Sequence, residues 1–162
     1  MKWSTGVRTA LAFLILVVMH YTLRPVLGWR AEPDFLLIAL LLVAIRIRPG
    51  SAAVLGLMIG LVADSVTLQA FGSAALAMSV VAFSASWLKA VFFADNMALN
   101  AFFFFVGKWL FNAMYLLAER RLGGGELVMQ ILVWSSLSAA VTAIAGLAAL
   151  LILRPILRTS LT

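Results

Sequence analysis

The sequence predicts an all-α membrane protein, one polytopic bundle of six transmembrane helices, and three observations predict it. Hydrophobic residues make up 65% of the 162-residue chain and charged residues 11%, with a mean hydropathy of +1.13, more apolar surface than a water-soluble fold of this size can hide. Long apolar runs recur along the chain, parted by single charges, prolines and glycines. Within those runs small residues repeat at steps of three and four, the spacing that lets helices approach closely in lipid.

The same composition excludes several function classes. A net charge of +6 would suit nucleic acid, yet the basic residues stand singly between apolar runs and form no patch with stacking aromatics, so they read as topology signals. Cysteine is absent, which removes thiolate chemistry and disulfides, and one histidine, His20, cannot build a metal site without carboxylate help. No cleavage site follows the first apolar run before Pro25, so that run reads as an uncleaved first span of a single domain, residues 1–162.

The elements follow in chain order. The first span, about residues 8–23, ends where Arg24, Pro25 and Gly28 coincide, with His20 in its last turn read as a polar anchor and Trp29 in the loop as an interface residue. The second, about 34–47, starts at Pro33 and Asp34, a good helix start. Its apolar core is short of the ~20 residues that a bilayer needs, but Arg46 and Arg48 can snorkel and leaving it in water would be worse. The third, about 51–68 after Pro49, carries Ala52, Gly56, Gly60 and Asp64 at steps of four, a shallow groove with an acid toward one end. A carboxylate at membrane depth costs roughly 2.5 to 3.5 kcal/mol, so Asp64 should face a partner or cap a helix end.

A turn at Gln69 to Ser73 leads into the fourth span, about 74–88, which makes a hairpin with the third and shows a second small-residue face of Ala75, Ser79, Ala82 and Ser86. Residues Ala90 to Asn100 are ambiguous, with an interfacial helix as one reading. The fifth span, about 101–118, is Phe-rich but carries Lys108, Asn112 and Tyr115 in a polar stripe, with Glu119 beyond. Gly123, Gly124 and Gly125 read as a flexible turn. The sixth, about 130–153 within a longer apolar run, has Ser135, Ala139, Thr142, Gly146 and Ala149 on one face.

With six spans and the N-terminus inside, Lys2, Arg8, Arg46, Arg48, Lys89, Arg154 and Arg158 are cytoplasmic, against Arg24, Arg30, Arg120 and Arg121 outside, the bias expected of an inner-membrane protein with both termini cytoplasmic. Asp64 and Lys108 then lie at matching depth, ~16 to 20 Å from the inner boundary at 1.5 Å per residue, and are expected to pair. The inventory for catalysis is thin. There is no Gly-x-Ser-x-Gly, no His-Glu-x-x-His helix and no carboxylate pair on one face, so neither enzyme chemistry nor a cofactor is expected.

Certain residues also carry a family resemblance. Glu32-Pro33-Asp34 before a Leu-rich helix, Arg48-Pro49, Gly56-x-x-x-Gly60-x-x-x-Asp64, and Phe71-Gly72 followed by Ala74-Ala75-Leu76-Ala77-Met78 resemble the rod-shape-determining membrane protein MreD over about Glu32 to Leu88. The second half agrees in hydropathy. The resemblance implies a non-catalytic inner-membrane scaffold of the cell-elongation machinery, working beside MreC, MreB, RodA and its transpeptidase in peptidoglycan synthesis. It also implies an architecture shared with the substrate-binding subunits of energy-coupling-factor vitamin transporters, which supplies the alternative function. Those subunits dock through an Ala-x-x-x-Ala face on their first helix, and here Ala10 is followed four later by Leu14 and Ala12 by Leu16. The Gly56 and Gly60 face, or the Ala75, Ser79 and Ala82 face beside it, reads either as internal helix packing or as the docking place for a partner helix such as that of MreC. Membrane lipid and a second copy of the chain are the other partners such stripes allow.

Overall fold

A computed structural model describes residues 3–27, 33–66, 71–92, 97–119 and 124–158. Trp29, Arg30, Gln69, Arg120, Arg121 and Gly123 lie outside them. The described residues form α1 (Trp3–Leu27), α2 (Phe35–Ala44), α3 (Pro49–Val66), α4 (Ser73–Phe92) and α5 (Met97–Glu119), then a continuous helical rod. The rod consists of α6 (Gly124–Met129), a π-helical turn at Gln130–Trp134, and α7 (Ser135–Arg158). Each apolar run of the sequence falls on one of these helices.

The bundle is built around α2. Leu37, Ile38, Leu40, Leu41 and Ala44 are fully buried, and the helix packs against α1, α3, α4, α5 and α7. This explains how so short a run is accommodated. Ten residues rise only ~15 Å, half of a bilayer core, but a helix sheathed in protein has no lipid boundary to match.

α3 and α4 make the closest pair, an antiparallel hairpin in which Gly56 lies against Met78 and Gly60 against Ala75. Ala52, Gly56, Gly60 and Asp64 are the buried residues of α3, while Ala75 and Ala82 are buried on α4 and Ser79 is half-buried. The small-residue stripes that could receive a partner helix are therefore closed on each other. The reason is geometric: with no Cβ on Gly60, the α4 backbone itself fills the groove. α5 forms a second hairpin with the rod, where Gly146 faces the Phe104 ring, and α4 against α5 joins the two hairpins.

Helix ends differ from the sequence expectation in several places, α1 starting at Trp3 and α7 running on to Arg158 among them. α1 runs through Pro25 to Leu27, since a proline in the last turn removes a single intrahelical bond. The ambiguous Ala90 to Asn100 segment is divided, its first residues ending α4 and its last beginning α5. Gly124 and Gly125 open α6 in helical conformation instead of lying in a turn. At the π turn the Ser135 N–H reaches back to the Gln130 carbonyl, one residue further than in an α-helix, which shifts the face that α6 presents relative to α7.

Candidate functional site

The two buried carboxylates, Asp34 and Asp64, each organise a polar site inside the bundle. The first forms where α2 begins. Asp34 is its N-cap, and Oδ1 accepts a hydrogen bond from the Leu37 N–H at 3.1 Å, satisfying one of the free donors at the helix start. Oδ2 accepts from Lys108 Nζ of α5 at 2.8 Å. The Asp34 N–H donates to Thr142 Oγ1 of α7 at 3.3 Å, and His20 Nδ1 of α1 lies 3.5 Å from Asp34 Oδ1. His20 Nδ1 also accepts from the Leu36 N–H at 3.4 Å. All four side chains are buried, so α1, α2, α5 and α7 meet at one ionic centre.

Its electrostatics are those of a compensated buried pair. Removing a carboxylate or an ammonium from water is expensive, and their mutual attraction offsets this only when geometry is good and the remaining hydrogen-bonding capacity is filled. Here the Lys108 ammonium also stands 4.7 Å above the Phe111 ring centroid, an additional favourable contact for the cation.

The second place is Asp64, near the end of α3. Its Oδ2 accepts from the Gly72 N–H at 2.9 Å and the Ala75 N–H at 3.0 Å, and its Oδ1 from the Ala74 N–H at 3.2 Å. The carboxylate caps α4 from across the hairpin, where the exposed N–H groups and the helix dipole both favour a negative charge. Gly72 at φ +98° turns the chain so that its own N–H joins this set, a conformation that favours glycine.

This arrangement corrects the expected pairing of Asp64 with Lys108. Both oxygens of Asp64 are taken by backbone N–H groups, and the ammonium of Lys108 goes to Asp34. Depth matched, but depth does not fix lateral position. Asn112 and Tyr115 continue the α5 stripe as half-buried residues, with Tyr115 stacked on Phe111 at a centroid distance of 5.9 Å. His20, expected at an interface, is buried inside the centre. Of the motif-turn residues, Asp34 caps α2, Pro49 opens α3 and Gly72 bends the hairpin, while Pro33 precedes the cap.

Sequence reasoning missed Asp34 as the ion partner, though a signal was present. Counting back from Arg46 at 1.5 Å per residue puts Asp34 ~18 Å from the inner boundary, the same depth as Lys108. Asp64→Ala should therefore cost about 1 to 3 kcal/mol through loss of the cap, and that loss should be the same in a Lys108→Met background. Thermal unfolding of the four proteins in one detergent checks this, and a loss that depends on Lys108 would reject the separation of the two sites.

Among the described residues, no group of three or more His, Asp or Glu is placed to hold a metal ion. What these residues do chemically is join helices. Comparisons with curated proteins and with solved structures each returned no match. The model of one family, rod shape-determining protein MreD, matches residues 2–159. Nearly the whole chain is covered, including the half in which the motifs gave no guide, and the protein belongs to the rod shape-determining protein MreD family.

Proposed function

We propose that this protein is a non-catalytic integral scaffold of the bacterial cell-elongation machinery, seated in the inner membrane with six spans and both termini cytoplasmic. Membership of the family gives it a role in rod shape determination. The reading of that role as scaffolding rests on one observation, the direction in which its side chains are committed. The charged groups at the ionic centre and the small-residue stripes of α3 and α4 close on one another inside the bundle. The outward faces are apolar helix surface, with Leu14 on α1, Met58 and Val62 on α3, Leu132 in the π turn and Ile144 on α7 all exposed. Surface of this kind meets lipid tails or another transmembrane helix. Partner helices such as that of MreC dock on these outward faces, and MreB, RodA and its transpeptidase join through the assembled complex.

Co-purification from native membranes tests the reading. A single-pass periplasmic protein coming along supports the scaffold. An ATPase module, or a vitamin-sized molecule retained in the bundle, would instead favour the substrate-binding subunit of an energy-coupling-factor transporter.

Support for membrane crossing comes from Pro49–Val66, Met97–Ala118 and Gly124–Ile152, which are long and apolar enough to cross, and from shorter apolar stretches at Phe13–Thr22, Phe35–Ala44 and Ser73–Leu88. The six-span topology predicts that reporter fusions at Thr162 and at Gly123, between α5 and α6, report from opposite sides of the membrane. The same side for both would overturn it.

A further inference from the structure

His20 is the only histidine of the chain, and its Nδ1 atom stands between two groups that make opposite demands on it. The Leu36 N–H, 3.4 Å away, requires an acceptor. Asp34 Oδ1, 3.5 Å from the same atom, requires a donor. One imidazole nitrogen is either a donor or an acceptor at a given moment. Unprotonated, Nδ1 accepts from Leu36, whose N–H lies in the first turn of α2 and has no partner within the helix. Protonated, it donates to Asp34 and releases the Leu36 N–H. We propose that His20 is a proton-operated latch, in which protonation exchanges a bond to the α2 backbone for an ion pair with Asp34 and so changes how α1 is held against the bundle.

The groups that face His20 allow this exchange. Lys108 of α5 occupies Oδ2 of Asp34, and Oδ1, which accepts from the Leu37 N–H, has a second lone pair for the imidazolium, so the carboxylate can serve both cations at once. From α1 itself Tyr21 sets its ring edge-on at 5.2 Å, and α7 contributes Thr142, whose hydroxyl does not titrate and is bonded to the Asp34 N–H. Asp34 and Lys108 together carry no net charge when both are ionised. A proton on His20 therefore changes the centre from neutral to positive.

α1 is the helix that such an exchange would move. Of its described side chains only Leu16 and His20 are buried, one turn apart on one face, while Val7, Leu11, Leu14, Ile15 and Val18 are exposed. It packs mainly on α2. One of its two buried side chains thus changes partner with the proton, while Phe13, Val17 and Met19 pack against the core from partly buried positions.

The lone histidine makes the test direct. The full chain, with any purification tag removed, is labelled with 15N-histidine, placed in bilayers of phosphatidylethanolamine and phosphatidylglycerol, and followed by NMR from about pH 5 to 8. Nδ1 is expected to pass from an unprotonated acceptor to a protonated donor in one step. Because the chain has no cysteine, Val18→Cys with Ile144→Cys, both at exposed positions, gives a spin-label distance between α1 and α7, and this should change with the same midpoint. In the paired variant Asp34→Asn with Lys108→Met, which removes the carboxylate without stranding a charge, the midpoint should shift and the distance should cease to follow pH. A proton on Nδ1 throughout the range, a midpoint indifferent to the paired variant, or a constant distance while His20 titrates would each overturn the latch.

Discussion

Gly60→Leu is expected to remove the protein from the membrane instead of merely loosening a complex. A Cβ on Gly60 meets the Ala75 Cα and comes within 2.6 Å of both the Ala74 carbonyl oxygen and the Ala75 nitrogen. These are backbone atoms of α4, so no rotamer change can make room. The helices must separate, and separation also withdraws Asp64 from the three N–H groups it caps. Even Gly60→Ala should cost about 3 kcal/mol or more, since overpacking and a lost cap act together.

Two controls distinguish this from general intolerance. A Cβ at Gly107 meets only the Leu41 side chain, at 2.9 Å, which can rotate away, so Gly107→Ala should cost about 1 to 2 kcal/mol. Met58 is exposed on the far side of α3, and Met58→Leu should lie within about 0.5 kcal/mol of wild type. Steady-state amount in the membrane and thermal unfolding in detergent read all four variants. Normal accumulation of Gly60→Leu would mean that α3 and α4 do not approach this closely, and the same face would again be open to a partner helix.

The contrast between the two glycine roles shows how far the sequence could be read. Spacing of four places Ala52, Gly56, Gly60 and Asp64 on one face, because the period of the helix alone decides that. Which surface covers the face depends on the neighbouring helix, and no periodicity records it. Two small-residue stripes on adjacent, hairpin-linked helices were in fact each other's partners, a pairing the short turn between them already favoured. The length of α2 was legible too, but its meaning was not. Eleven apolar residues read as a short span, and only burial on every side shows that the run is also the core of the bundle, with its polar start deep inside. Placing Asp34 at a membrane boundary hid it from Lys108, and Asp64 was paired in its stead on depth alone. Backbone N–H groups were the overlooked competitors, since a helix start offers a carboxylate several donors without any second charge.

The second large effect is expected at the ionic centre, where the two single substitutions should differ from each other and from their sum. Asp34→Asn leaves the Lys108 ammonium buried without a compensating negative charge, with an amide oxygen and the Phe111 ring in its place, and should cost about 3 to 5 kcal/mol. Lys108→Met leaves a carboxylate that keeps the Leu37 N–H and the neighbouring His20, so its loss should be smaller, about 2 to 4 kcal/mol. With both changes no charge is stranded, since a buried ion pair replaced by neutral groups of similar volume is close to neutral in stability. The double variant should therefore be more stable than Asp34→Asn alone, with a coupling energy of about 2 kcal/mol or more in the cycle. Unfolding midpoints of the four proteins measured in one detergent at one pH give that quantity. Additive losses, within about 0.5 kcal/mol, would show that Lys108 and Asp34 do not share this buried contact, and α5 would have to be held at the junction by packing alone.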